Sequence, residues 1–93
     1  MFYTYILICS DKRLYTGYTP DLKNRFKLYS LGKVLSTKRR LPVELIYYEA
    51  CLDKQDAIRR EKTLKSGPGK IYIKKRMKRF FQNSGWGPVT GAP

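Results

Sequence analysis

Glu61 is the residue whose place in the sequence is hardest to explain by packing. Ala57, Ile58 and Leu64 mark the inward face of a predicted helix, and Glu61 lies on that same face, four residues after Ala57 and three before Leu64. An unpaired buried carboxylate costs several kcal/mol, so its burial has to be compensated. A salt bridge to an arginine of the first predicted helix, a network of hydrogen-bond donors or a metal ion would each compensate it.

Tyrosine is the second residue type that could carry chemistry, with eight copies in the chain. In a plain N-terminal hairpin, Tyr3, Tyr5 and Tyr15 share one face of the sheet, because residues of equal parity point the same way across such a turn. A single strand tyrosine usually caps the edge of a core with its hydroxyl in water. A cluster of phenols on one face is less easily explained by packing and favours a reactive surface.

Cationic side chains that suit phosphate groups form a third signal. Arg25 lies next to Phe26 and one turn before Tyr29, so its planar fork can lean over the sheet edge towards a phosphate, although a solvated arginine is the structural alternative. The other cations lie in a predicted loop and around Glu61: Lys38, Arg39, Arg40, Arg59, Arg60, Lys62 and Lys65. A carboxylate set among such residues favours a function at a phosphate-binding surface over a structural salt bridge.

Composition limits the kind of chemistry. The 93 residues, 42% of them hydrophobic, are enough for one small domain. The chain has no histidine, which excludes Ser-His and Cys-His systems and leaves carboxylates, tyrosines, arginines or a hard metal ion. A net charge of +13 is larger than solubility requires. Such a charge attracts polyanions, of which nucleic acid is the commonest in a cytoplasm. Cys9 and Cys51 have no CxxC spacing, which fits a reducing compartment.

The first half of the chain predicts a hairpin, a helix and a third strand. Residues 2–9 and 13–18 alternate as two strands joined by a turn at residues 10–12. Thr19 is the expected N-cap of a helix that runs to about Ser30, with Pro20 at its first position. Residues 31–41 are expected to form a loop. Residues 43–51 predict a third strand, central in a small antiparallel sheet.

Two further helices and a tail complete the predicted domain. Asp53 caps a helix to about Lys65, and a third helix runs from about Lys70 to Phe81 with a basic face. The fold class is therefore α+β, a three-stranded antiparallel sheet flanked by helices in the order ββαβαα. Residues 1–82 form the domain, and residues 83–93, rich in glycine and proline and containing Trp86, are expected to be a flexible tail. The apolar opening run is too short and lacks the basic start of a signal peptide, so neither a signal peptide nor a membrane span is expected.

Taken together, these residues resemble the GIY-YIG nuclease superfamily, in particular its small stand-alone bacterial proteins. The runs Tyr3-Thr4-Tyr5-Ile6 and Leu14-Tyr15-Thr16-Gly17 look like its two name-giving motifs, with Tyr3 in place of the first glycine. The segment 18–22 with Arg25 is similar to the approach to the family's arginine helix. Residues 37–49 resemble its basic loop and third strand, and residues 57–62 its acidic-residue helix. The likeness covers roughly residues 2–80.

The resemblance implies a metal-dependent endonuclease that hydrolyses DNA phosphodiester bonds. It implies that Tyr5 and Tyr15 flank the attacking water, that Arg25 holds the scissile phosphate and that Glu61 binds a single Mg²⁺ or Mn²⁺. Tyr29 stands where many members carry a histidine. A tyrosine with a pKa of about 10 is ionised to only about 0.1% at pH 7, so a tyrosine base needs nearby cations to lower its pKa. Tyr5 is favoured as this base, with Tyr15 orienting.

The resemblance also sets the expected partners. Branched or damaged DNA, met in repair or recombination, is the substrate class it suggests, and a protein partner that supplies targeting is left open. A monomer in the bacterial cytoplasm or nucleoid, with no membrane contact, is favoured. Backbone contacts with steep salt dependence and little base readout are predicted for a set of basic residues: Lys38, Arg39, Arg40, Arg59, Arg60, Lys62, Lys65, Lys74, Lys75 and Lys78.

Three other functions stay open on the sequence alone. A catalytically silent nucleic-acid-binding module would keep the basic surface, but it gains nothing from Glu61 facing the path of the phosphates. A ribosome-associated basic protein fits the composition but not the clustered tyrosines. The basic third helix could lie on an anionic membrane, although Phe80 and Phe81 more simply dock on the sheet.

Overall fold

Three strands and four α-helices make up residues 1–83, which are the residues that the computed structural model describes. Strands β1 (Phe2–Ile8), β2 (Leu14–Thr19) and β3 (Glu44–Cys51) form one antiparallel sheet. Helix α1 (Leu22–Ser30) precedes β3, while α2 (Lys54–Lys65), α3 (Gly67–Arg76) and α4 (Lys78–Asn83) follow it. The chain divides into two compact units, residues 1–61 and residues from 62 onward. The predicted fold class is confirmed, with the last predicted helix divided in two.

The strand order is β2-β1-β3, so the prediction that β3 would be central is wrong. β1 pairs with β2 on one edge and with β3 on the other, and it is buried without interruption from Thr4 to Ile8. A continuous buried run is what a strand covered on both faces shows. β3 instead has no fully buried residue, and its residues are either exposed or half buried, as those of an edge strand can be. The prediction was based on the aromatic and β-branched residues of β3, which are as suitable in an edge strand as in a central one.

The two faces of the sheet are set by register. Tyr5 pairs with Gly17 and Leu7 with Tyr15, so the predicted sharing of one face by Tyr5 and Tyr15 is confirmed. On the other edge of β1, Tyr5 pairs with Tyr48 but Leu7 pairs with Leu45, which leaves Ile46 as the extra residue of a β-bulge. The bulge brings Leu45 and Tyr48 to the same face, although three positions separate them.

Helix α1 covers this face. Its N-cap is Asp21, whose carboxylate accepts a hydrogen bond from Asn24 N at 3.1 Å, and not Thr19 as predicted. Thr19 ends β2 instead, where its hydroxyl accepts a hydrogen bond from Asp21 N. Tyr29 of α1 is fully buried against Tyr5 and Leu7 at the centre of the core of this face. Around them pack half-buried apolar residues that include Tyr15, Phe26 and Leu45.

Helix α2 contacts the opposite face. Asp53 caps it as predicted, because its carboxylate accepts hydrogen bonds from the backbone N–H groups of Gln55 and Asp56. The hydroxyl of Thr4 donates to the Ala57 carbonyl at 2.8 Å, and both residues are buried. Since successive residues of a strand alternate in direction, Thr4 and Tyr5 place α2 and α1 on opposite sides of β1.

The second unit begins within α2 and holds α3 and α4. Ser66 caps α3 through Gly69 N, and Pro68 fits the first turn, where no N–H partner is needed, so residues 67–69 start a helix instead of ending one. Helix α3 ends at Met77, which divides the predicted helix 70–81. Phe81 is buried and meets Phe80 edge to face. Except for Asn83, which ends α4, the predicted tail 83–93 with Trp86 lies outside the described residues. Between residues 1 and 83, no helix has both the length and the apolar character needed to cross a bilayer.

Candidate active site

Three tyrosines meet on the α1 face of the sheet. The hydroxyl groups of Tyr5 and Tyr29 are 2.8 Å apart, and both side chains are almost wholly buried. Their rings meet edge to face with centroids 5.9 Å apart, and Tyr15 meets Tyr29 in the same way at 5.7 Å. We call Tyr5, Tyr15 and Tyr29 the tyrosine cluster. Three elements contribute to it, so its geometry depends on the hairpin register and on the docking of α1.

Gly17 makes room for the cluster. It lies opposite Tyr5 in the hairpin, and a Cβ atom added there would overlap the phenol ring and hydroxyl of Tyr5. The glycine is therefore required by the close approach of a side chain. The glycine is part of the Leu14–Gly17 motif that was identified in the sequence. The physical reason for it is seen only in the structure, where the Tyr5 side chain lies over Gly17.

Arg25 lies against the cluster. Its guanidinium carbon is 5.1 Å from the centre of the Tyr29 ring, a cation–π geometry, and Arg25 sits one turn before Tyr29 on α1. The neighbouring hydroxyl of Tyr5 raises the pKa of Arg25, with a smaller contribution from Tyr29 and against the lowering effect of partial burial. Within residues 1–83 the partners of Arg25 are tyrosines, so no carboxylate neutralises its charge.

Tyr29 is held in its neutral form. Burial is the largest cause, followed by hydrogen bonding to Tyr5 and Tyr15, and together they raise the pKa of Tyr29 far above the usual value for tyrosine. A phenol that does not ionise cannot act as a base. It can orient the two hydroxyls beside it.

Tyr15 is the member of the cluster with the most contact with solvent. Its side chain is half buried, whereas Tyr5 is 2% and Tyr29 0% exposed. The hydroxyl of Ser36, from the loop after α1, donates to the Tyr15 hydroxyl at 3.4 Å. Nothing in the sequence marked Ser36, because it lies in a stretch without periodicity. The loop thus reaches the cluster at its accessible side.

Glu61 lies on a different element from the tyrosine cluster. It is half buried on α2, between the buried positions Ala57 and Leu64, as its spacing predicted. The preceding turn of α2 contacts the face of the sheet opposite to α1, through Thr4. The structure therefore groups Tyr5, Tyr15, Tyr29 and Arg25 directly and carries Glu61 on a separate helix.

A metal ion at Glu61 would have to share its coordination with the substrate. Residues 1–83 contain no group of three or more His, Cys, Asp or Glu side chains that could hold a metal. Mg²⁺ keeps several waters and is usually bound by only one or two carboxylates together with substrate phosphates. One half-buried carboxylate on a strongly cationic chain is a donor set of that kind, so Glu61 fits Mg²⁺ or Mn²⁺.

Two of the arginines predicted to contact nucleic acid are paired with acids. Arg60 donates from Nε and Nη2 to the Glu49 carboxylate at 2.9 Å, and the Tyr47 hydroxyl donates to the same carboxylate at 2.8 Å. Arg40 pairs with Asp11 at 2.9 Å between Nε and Oδ2. These contacts tie α2 to β3 and the loop to the hairpin turn. No local pattern in the sequence marks Glu49 as a partner of Arg60.

The remaining predicted nucleic-acid contacts lie on several elements. Lys38 and Arg39 are exposed on a single 3-10 turn, and Arg59 is exposed on α2. In the second unit, Lys74 is half buried and four others are exposed: Lys62, Lys65, Lys75 and Lys78. Each of these side chains is at least partly exposed, so a polyanion in solution can contact it.

Comparisons with known proteins agree on one family. Residues 1–70 match the GIY-YIG catalytic domain. A UPF0213 protein of Streptococcus agalactiae serotype V is 50% identical over 64 residues, which cover 68% of this chain and 73% of the relative. A UPF0213 protein of Streptococcus pyogenes serotype M5 is 48% identical over 64 residues, 68% of this chain and 70% of the relative. The solution NMR structure of a UPF0213 protein from Bacillus halodurans is 34% identical, covers 96% of this chain and 90% of that chain, and has a TM-score of 0.45.

Proposed function

The chain belongs to the GIY-YIG catalytic domain family and to its small bacterial UPF0213 proteins, and we propose that it is a metal-dependent endonuclease that hydrolyses DNA phosphodiester bonds. The substrate class that we propose is branched or damaged DNA. The observation that carries the proposal is the placement of Arg25 against the tyrosine cluster. A fixed, un-neutralised guanidinium beside several phenols is a group of residues suited to a reacting phosphate.

Arg25 would bind the scissile phosphate. Hydrolysis builds negative charge on the non-bridging oxygens, and a guanidinium held in place by the Tyr29 ring can stabilise that charge without rearrangement. Ring contact positions the side chain, and those of its five N–H donors that do not face the Tyr5 and Tyr29 hydroxyls can bind the ligand. The proposed role is therefore electrostatic stabilisation by a preorganised cation.

Tyr15 is the better candidate for the base, in place of the Tyr5 favoured from sequence. Tyr5 is 2% exposed and its hydroxyl is engaged with Tyr29, so an attacking water reaches it poorly. Tyr15 is half buried and its hydroxyl meets the accessible loop at Ser36. In this arrangement Tyr15 first releases its phenolic proton to solvent, and its phenolate Oη then takes a proton from the attacking water. Tyr29 stays neutral, and Tyr5 links Tyr29 to Arg25.

Glu61 is the residue proposed to hold Mg²⁺ or Mn²⁺. When bound, such an ion supplies positive charge for the non-bridging and leaving oxygens of the phosphodiester. The role of the chain is to present one carboxylate on α2 and to leave the remaining coordination positions to water and substrate. The exposed basic side chains, among them Lys38 and Arg39, would hold the DNA backbone, with Arg40 and Arg60 contributing less because Asp11 and Glu49 already pair with them.

The decisive experiment compares wild type with Glu61→Gln on labelled linear, flapped, four-way-junction and single-stranded DNA, with and without Mg²⁺ or Mn²⁺. Glu44→Gln is the matched control, because Glu44 is an exposed acid on β3 and its change alters the net charge equally. We expect metal-dependent cleavage by wild type and Glu44→Gln, a loss of at least about 100-fold in Glu61→Gln, and unchanged DNA binding by all three.

Binding without cleavage on every substrate would contradict the endonuclease. The protein would then be a nucleic-acid-binding module that keeps the fold and the basic surface. Equal cleavage by Glu61→Gln and wild type would instead remove Glu61 from the site and leave the tyrosine cluster with Arg25 as its core.

A further inference from the structure

A second feature of the α1 face lies beside the tyrosine cluster and takes no part in the proposed hydrolysis. It is an open groove of about 390 Å³, lined among others by Tyr3, Tyr48, Phe26, Leu45, Asp21 and Lys23. Tyr3 and Tyr5 are two positions apart on β1 and point to the same face, which separates them by roughly 7 Å. Helix α1 likewise gives Phe26 to the groove and Tyr29 to the cluster. Groove and cluster are thus neighbours on one surface.

The groove is lined by aromatic rings, of which that of Tyr48 is exposed. Tyr48 is 55% exposed, and its ring meets Tyr3 edge to face with centroids 6.1 Å apart. The β-bulge at Ile46 turns Leu45 to this face as well, where it also lines the groove. Neither the core of the first unit nor the tyrosine cluster accounts for a tyrosine left open to this extent. Exposed aromatic rings beside a proposed nucleic-acid site are suited to stacking with a base.

The charges at the rim favour a nucleobase over a phosphate. Lys23 is exposed and attracts a nucleic-acid backbone, as does the net charge of +13. Asp21 is also exposed, and its carboxylate would repel a phosphate that entered the groove but can accept a hydrogen bond from the amino group of a base. The groove therefore suits the base of a nucleotide whose phosphate lies outside, on the cationic side.

We propose that the groove receives one unpaired nucleobase of the DNA, stacked on the exposed ring of Tyr48 and bordered by the ring of Tyr3, which lies at 61° to it. Bases in a continuous duplex are stacked inside the helix and cannot enter, so the groove selects DNA that carries an unpaired nucleotide. The inference rests on the proposed function only in taking DNA as the ligand. It deepens that function by naming the feature of the DNA that is recognised.

The test measures binding without divalent metal, so that cleavage plays no part. The probes are a duplex with one bulged 2-aminopurine and a duplex with the same 2-aminopurine paired. We expect wild type to bind the bulged DNA about tenfold more tightly and to quench its fluorescence, because stacking on an aromatic ring supports a preference of that size. Tyr48→Ala should reduce the preference to within about twofold, with binding of the paired duplex unchanged.

Two control variants make the result specific. Tyr48→Phe keeps the ring and should keep both the preference and the quenching. Tyr72→Ala removes an exposed tyrosine of α3, which is 42% exposed, and should also leave the preference intact. A loss in Tyr48→Ala that Tyr48→Phe does not share assigns the effect to stacking and not to misfolding.

The inference is overturned if wild type shows no preference for the bulged DNA or if Tyr48→Ala retains it. It is also overturned if Tyr48→Ala leaves DNA binding unchanged but lowers the mass measured by sedimentation, since the groove would then bind a second copy of the chain. Failure of the proposed function is a separate outcome. If wild type cleaves no DNA with metal while the Tyr48-dependent preference persists, the endonuclease fails and the groove stands.

Discussion

The hydroxyl groups of Tyr5 and Tyr29 lie 2.8 Å apart across 24 positions of sequence, buried between a strand and a helix. This hydrogen bond joins the centre of the sheet to α1, the helix that also carries Arg25. Because both hydroxyls are shielded from water, their hydrogen-bond partners come from the protein: each bonds the other, Tyr29 also bonds Tyr15, and Tyr5 also bonds Arg25. The positions of the arginine and of the hairpin are therefore coupled through two phenols.

Removal of one hydroxyl should weaken both the fold and the site. We expect Tyr29→Phe to lower the free energy of unfolding by about 1–3 kcal/mol, since it leaves the buried Tyr5 hydroxyl without this partner while keeping the ring that faces Arg25. Urea unfolding measures the change. Tyr72→Phe removes an exposed hydroxyl and is the control. Equal stability of the two variants would mean that the Tyr5–Tyr29 hydrogen bond contributes nothing.

Gly17 should tolerate no larger residue. Gly17→Ala places a methyl group inside the volume of the Tyr5 phenol, and we expect a loss of about 2–3 kcal/mol or more, as for an overpacked core. Gly67→Ala is the matched control, because its added Cβ meets no atom within 4 Å. Thermal unfolding of both variants checks the difference. A Gly17→Ala protein as stable as Gly67→Ala would show that Tyr5 can move aside.

Alkaline pH should destabilise the protein through Tyr29. Burial, with hydrogen bonding to Tyr5 and Tyr15, raises the pKa of Tyr29 above the value of about 10 that it has in the unfolded chain. The unfolded chain therefore releases this proton first, so the stabilisation is complete below about pH 10 and is lost as the pH rises beyond it. Urea unfolding from about pH 8 to about pH 11 measures the slope. Tyr29→Phe should flatten it, and an identical slope in that variant would contradict the assignment.

The pair formed by Arg60 and Glu49 should act on stability more than on DNA binding. Both side chains are about one third exposed, 34% and 30%, so we expect a coupling energy of only about 1 kcal/mol in a double-mutant cycle of Arg60→Gln and Glu49→Gln. Lys62→Gln, at an exposed position, should lower the salt dependence of DNA binding by about one unit of slope. An equal decrease of this slope in Arg60→Gln would contradict the prediction and show that Arg60 contacts the DNA.

The parts of the fold that follow from local patterns were predictable. The hairpin, the Asp53 cap and the inward position of Glu61 depend on alternation, capping chemistry and helical spacing, each of which is set within a few residues. The N-cap of α1 was misplaced by two residues because Thr19 and Asp21 both carry suitable oxygens, and only the end of β2 decides between them. Local signals of equal strength cannot be ranked without their surroundings.

What the sequence could not supply were relationships between distant residues. The central place of β1, the pairing of Glu49 with Arg60 and the contact of Ser36 with Tyr15 each join separate elements. The choice between Tyr5 and Tyr15 as base is of the same kind, since it turns on which hydroxyl α1 buries. The alternation of side chains along the strands predicted that Tyr5 and Tyr15 share one face of the sheet. It could not predict how exposed each of the two side chains is.

Because of its β-bulge, β3 contains one residue more than its pairing with β1 requires. Ile46 has no partner of its own on β1, and the residues on either side of it keep the same faces whether or not it is counted. A shortened chain that lacks Ile46 would pair regularly and still turn Leu45 and Tyr48 to the α1 face. Loss of one residue elsewhere in β3 would turn part of the strand over, so among sequences of this family a length change in β3 is best accommodated at this position.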